Sequence, residues 1–155
     1  MAWSDKIEVK KGDIGEKIIQ EYLEQKGWVI YKPVTKKAHW FDNMATRNKK
    51  NIIAFDVKTK ARLNIIAATG IEKKHYLDYK RFVSDTEIPF YLYFVDDKEG
   101  KVYYRLLKDL PEPFELNSTT VCWYLEDLKY IFSLTEDQKN NLSKFDNRNY
   151  KFNPV

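Results

Sequence analysis

The chain has 155 residues, 43% of them hydrophobic and 32% charged, with a formal net charge of +4. That suits one soluble domain with its own core, and the mild positive charge permits a phosphate-bearing partner without requiring one. The single Cys122 excludes an intramolecular disulfide framework and a Cys-rich zinc site, two histidines argue against zinc altogether, and no apolar run approaches the roughly 18 residues of a membrane span. No segment reads as a signal peptide, so an intracellular protein is expected, cytoplasmic if bacterial or phage-encoded.

In chain order, Asp13 opens a helix: Ile14, Ile18, Ile19, Tyr22 and Leu23 fall at helical spacing and Lys26-Gly27 ends it. Asp13 and Glu16 match a capping box. Glu16 also sits at the flank of the stripe carrying Ile19 and Leu23, so a second reading has it look toward the sheet. Trp28 to Tyr31 is a short strand stopped by Pro33, and Lys32, Lys36 and Lys37 lead through a basic loop to His39 and Trp40. Residues 40–46 and 51–59 read as two strands joined by a basic turn of hairpin length. A small, polar stretch over 61–70 is only partly loop-like. A second helix over 71–83 places Ile71, His75, Tyr79 and Phe82 on one face. Residues 88–95 are nearly all apolar, as in a strand covered on both faces, and 101–107 return as its hairpin partner. Pro111-Glu112-Pro113 marks a break. A strand over 119–125, a short helix or turn over 126–132 and a helix from Thr135 to about Lys144 follow. This order predicts one α/β (α+β) domain over 1–155: a mixed central sheet flanked by helices over about 13–107, with an α/β appendage over about 108–155. Aromatic residues reach 15%, including 11 tyrosines, which pack cores and also line wet binding surfaces.

The hairpin carries the chemistry. Side chains alternate along a strand, so Asp56 and Lys58 point the same way, and a fold near residue 49 sets Asp42 close to opposite Asp56. Two adjacent carboxylates raise each other's pKa. A divalent cation offsets that charge, and Mg²⁺ takes one or two protein carboxylates while leaving positions for phosphate oxygens. Lys58 is then placed to orient or deprotonate an attacking water, or to hold phosphate charge. The competing reading is an edge hairpin with solvated charges and one cross-strand ion pair.

Asp42, thirteen intervening residues, then Asp56-Val57-Lys58 resembles the PD-(D/E)XK nuclease superfamily, and the element order is similar to its restriction-endonuclease-like and Holliday-junction-resolvase-like members from about residue 13 to residue 95. Phe41 stands where the motif has Pro, and Asp56 is the shorter of its two acids. The resemblance implies that Asp42 and Asp56 are metal ligands, that the Val57 backbone carbonyl adds an oxygen, and that Glu16 binds metal directly or through water. It implies Mg²⁺ as cofactor, with Mn²⁺ as substitute, and Lys58 as the residue that positions or activates water. His75 and Tyr79 have the spacing of a Gln–Tyr pair found in exonuclease-like members, with His in place of Gln.

The expected activity is therefore a metal-dependent DNA endonuclease. Backbone contacts are assigned to Lys32, Lys36, Lys37, Arg47, Lys49, Lys50, Lys60 and Arg62, which position a substrate without reading its sequence. Solubility is the competing role for each. A homodimer is a possible state. A non-catalytic nucleic-acid-binding or assembly protein on this scaffold, and an RNA endonuclease of the same fold, are the alternatives.

Overall fold

The computed structural model describes residues 6–33 and 41–145. The first helix, α1 (Ile7–Gln25), buries Gly15, Ile18, Ile19 and Leu23. It begins six residues before the expected start at Asp13, because helix-compatible Glu8, Lys10 and Lys11 continue the helix upstream and Lys11 is tied by an ion pair to Asp97. Asp13 and Glu16 therefore lie inside the helix, and the expected capping box does not form: the helix is preceded by Lys6 without a side-chain cap. At the other end Gly27 takes φ 85°, a conformation that favours glycine.

The main sheet has six strands: β1 (Val29–Tyr31), β2 (Asn43–Arg47), β3 (Asn51–Thr59), β5 (Phe90–Asp96), β6 (Lys101–Leu106) and β9 (Lys129–Ser133), in that spatial order. Neighbours are antiparallel except β3 and β5, which run parallel. The chain crosses between those two through β4 (Ala68–Glu72) and α2 (Lys73–Thr86). β4 also founds a second sheet of three strands with β8 (Thr120–Tyr124) and β7 (Phe114–Asn117), in the order β4-β8-β7. Helix α3 (Glu136–Ser143) closes the described chain and starts with a capping box between Thr135 and Gln138.

One core lies on each face of the main sheet. Ile18, Ile19 and Leu23 of α1 and Leu142 of α3 pack with Phe55, Val57, Tyr93 and Val95 on one side. Tyr79 and Phe82 of α2 pack with Ala54, Phe90, Leu92, Phe94 and Trp123 on the other. Strand β5 thus feeds both cores, as its unbroken apolar run predicts.

Two expectations are corrected. Ile71 belongs to β4, and α2 starts at Lys73 and runs on to Thr86. The short helix or turn expected over 126–132 is confined to a 3-10 turn over Leu125–Asp127, and the rest is β9, which edges the main sheet beside β6. Both strands find partners more than twenty residues away, which local pattern does not show.

Gly15 sets how closely α1 approaches the sheet. A Cβ there would lie 1.8 Å from Thr59 Oγ1, so only glycine lets the helix rest on the end of β3. The next residue, Glu16, is thereby carried to the same end of the sheet as Asp56 and Lys58.

Candidate active site

The β2–β3 register pairs Asn43 with Phe55 and ends there, so Asp42 lies one step past the ladder, opposite Asp56. Asp42 is therefore just outside the strand that was expected to hold it. Directly paired residues share a face. Asn43 and Phe55 look toward α1, while Asp56 looks toward α2, where it accepts a hydrogen bond from the Tyr79 hydroxyl. The Lys58 ammonium lies 2.7 Å from the same oxygen, Asp56 Oδ2. Asp56 is 1% exposed, so both donors act where water does not compete.

Asp42 and Asp56 stand close enough to set each other's charge, in opposite directions. Burial, then the hydrogen bond to Asp56 and its charge, push Asp42 up to about 8, with Glu16 adding to the rise and Lys58 opposing it. Burial also works against the Asp56 charge, yet the hydrogen bond from Asp42, the Lys58 ammonium and the Tyr79 hydroxyl together hold Asp56 below the ordinary carboxylate value. These opposite directions favour a protonated Asp42 beside an ionised Asp56. Tyr79 itself is held protonated, first by burial and then by the Asp56 charge.

Glu16 takes a different place. Its Oε1 accepts from Gln20 Nε2 at 3.1 Å and Asn43 Nδ2 at 2.9 Å, and Lys32 Nζ lies 2.8 Å away. That network stands on the α1 side of the sheet and reaches Asp42 through its charge. Among the described residues no group of three or more His, Cys, Asp or Glu is arranged to hold a metal ion. The Val57 side chain is buried in the α1-side core, between the two motif residues. His75 lies 4.0 Å from Glu72 and stacks on the Tyr79 ring at a centroid distance of 6.1 Å.

The basic residues divide. Lys60 stands one residue past the end of β3, with its side chain exposed. Arg62 is paired with Glu99 at 2.7 Å. Arg47, Lys49 and Lys50 sit at the turn of the hairpin, where Asn48 and Lys49 adopt φ 56° and 58°. That turn is the far end from Asp42, roughly 17 Å away by strand rise, so these cations do not surround the carboxylate pair. Lys36 and Lys37, with His39 and Trp40, lie outside the described residues.

Sequence reasoning missed Gln20 and Asn43. Gln20 is one helical turn after Glu16 and Asn43 follows Asp42, but nothing local says that they meet; their 2.8 Å hydrogen bond joins α1 to β2.

No family model matches this chain, and no curated protein does. A solved structure is similar to it: the Holliday junction resolvase Hjc of Archaeoglobus fulgidus, an archaeal hyperthermophile, with a TM-score of 0.56, 12% identity, and coverage of 75% of this chain and 90% of that one. At that identity the likeness is one of fold. The mixed central sheet flanked by helices is the resolvase-like, restriction-endonuclease-like core expected from the element order.

Proposed function

We propose that the protein is a metal-dependent endonuclease of the PD-(D/E)XK type, hydrolysing phosphodiester bonds in DNA. One observation carries the reading: Asp42 stands opposite Asp56 at the end of a sheet, with the Lys58 ammonium 2.7 Å from the Asp56 carboxylate. The core beneath them has the fold of a Holliday junction resolvase, which makes branched DNA a first substrate to try.

The donor set fits a hard divalent cation, Mg²⁺ or Mn²⁺. Two carboxylate oxygens and the Val57 backbone carbonyl would hold it, and ionising Asp42 would supply the charge that its proton now cancels. When bound, such an ion lowers the pKa of a water and stabilises charge on the attacking and leaving oxygens. The protein does the rest. Tyr79 pins Asp56 in its rotamer. Lys58 holds the attacking water in line or takes up charge on the phosphate. Glu16, with Gln20, Asn43 and Lys32, sets the charge felt by Asp42. Cutting both strands calls for two sites, and hence a homodimer.

The test is a panel of plasmid, linear and branched DNA with Mg²⁺ or Mn²⁺. Cleavage is expected in the parent and absent in Asp56→Ala and Lys58→Ala. Cleavage that survives both substitutions sinks the mechanism. DNA binding without cleavage in either metal selects a binding protein on the same scaffold.

A further inference from the structure

A second place on the molecule has the composition of a nucleic-acid contact. It lies on the α1 face of the main sheet, the face opposite Asp56, at the end of the hairpin that carries Arg47. A cavity of about 240 Å³ opens there, lined by Tyr22, Trp28, Tyr91, Tyr93 and Tyr104. The three strand tyrosines form one layer: Tyr104 stacks on Tyr91 and Tyr93 at 6.0 and 5.8 Å, with planes 19° apart in both pairs. Among the described residues none of the four tyrosine hydroxyls has a hydrogen-bond partner.

The cations point to the occupant. Arg47 lies 4.7 Å over the Trp28 ring and Lys26 5.7 Å over Tyr22. The lining includes no Asp or Glu. The Arg47 Nε is buried and has no acceptor among the described residues. Lys49 and Lys50 stand exposed on the adjoining turn. Stacked rings whose hydroxyls meet no hydrogen-bond partner, and cations whose charges meet no carboxylate, among the described residues suit a planar polar ring joined to an anion. The cavity is smaller than the roughly 300–1,000 Å³ of drug-sized sites, which limits it to one base.

We infer that this cavity binds one unpaired nucleobase with its phosphate, the base against the tyrosine layer and the phosphate toward Arg47 and Lys26. The phosphate source is either a single strand or a free nucleotide. The site gives Arg47, Lys49 and Lys50 a role that their distance from Asp42 denies them in catalysis. It stands or falls independently of cleavage.

The test uses the full chain in EDTA, so that the carboxylate pair takes no part. Fluorescence anisotropy compares labelled oligo-dT with an abasic strand of equal length, with dTMP as competitor. Oligo-dT is expected to bind about tenfold more tightly than the abasic strand. Tyr104→Leu removes that difference, and Arg47→Gln weakens oligo-dT about tenfold. Arg47, at the hairpin turn, keeps the test decisive if circular dichroism shows Tyr104→Leu to be misfolded. Competition by dTMP assigns the cavity to free nucleotides; base-dependent binding that dTMP does not displace assigns it to a strand. Equal affinity for oligo-dT and the abasic strand, or parental affinity in Arg47→Gln and a folded Tyr104→Leu, overturns the inference.

Discussion

Tyr79 on α2 donates its hydroxyl to Oδ2 of Asp56 on β3, the same buried oxygen that Lys58 reaches from two residues along the strand. Two donors from different elements converge on one acceptor, so the orientation of Asp56 is overdetermined before any substrate arrives.

Tyr79→Phe removes one donor and keeps the ring that stacks on Phe90. A hydrogen bond to a charged group contributes about 1.5–3 kcal/mol, and urea unfolding at pH 7 is expected to show a loss in that range. Asp56 is held below its ordinary value, so this contribution is present above 3.8 and fades as pH falls through the lower folded value. The gap between variant and parent should therefore narrow in acid. In the cleavage assay the variant should lose about 10–100-fold, as expected when the partner of a metal ligand is removed. A variant as stable and as active as the parent contradicts the assignment.

Asp42 behaves with the opposite sign. Its folded value is raised from 3.8 to about 8. The stability it contributes is full below 3.8 and is lost as pH rises through about 8. In EDTA the thermal midpoint of the parent is expected to fall between about pH 4 and 8 and to level off above that, relative to Asp42→Asn, which has no proton to lose there. Adding Mg²⁺ should restore the parent at the alkaline end, because the cation takes the ionised pair and binds with release of a proton. Glu16→Gln removes a charge that raises Asp42, so it should move the midpoint of this transition to lower pH. Parallel pH profiles for the parent and Asp42→Asn contradict the raised Asp42 value.

Gly15→Ala weighs two local effects. Alanine favours a helix over glycine by up to about 1 kcal/mol. Against that, the new Cβ meets Thr59 Oγ1 at 1.8 Å and Thr59 Cβ at 2.9 Å. Overpacking costs about 1–3 kcal/mol, so net destabilisation is expected in urea titrations. Trimming the neighbour with Thr59→Ala should recover part of it. A Gly15→Ala variant more stable than the parent shows that α1 does not rest on β3 in this way.

Several features were legible from local pattern. The spacing of Ile14, Ile18, Ile19, Tyr22 and Leu23 marks the buried stripe of α1, of which Ile18, Ile19 and Leu23 are fully enclosed. The alternation around residue 49 sets the β2–β3 register that brings Asp42 opposite Asp56, since a hairpin is closed by its own short turn. The unbroken apolar run of 88–95 marks a strand covered on both faces, which is β5. β4 and β9 were not legible. Their stabilisation comes from β8 and β6, distant in sequence, and strand propensity reports such partners poorly.

By itself, the sequence determined the hairpin, its register and the pairing of Asp56 with Lys58, because each follows from a period of two along a few residues. Only the tertiary structure decided what surrounds them. Packing of α2 delivers the Tyr79 hydroxyl to Asp56. Packing of α1 through Gly15 turns Glu16 onto Asn43 and Lys32 on the other face of the sheet. The length of the hairpin carries Arg47, Lys49 and Lys50 away from the carboxylates and sets Arg47 in an aromatic cavity. These are relations between elements, settled by which faces exclude water together, and no local window contains them.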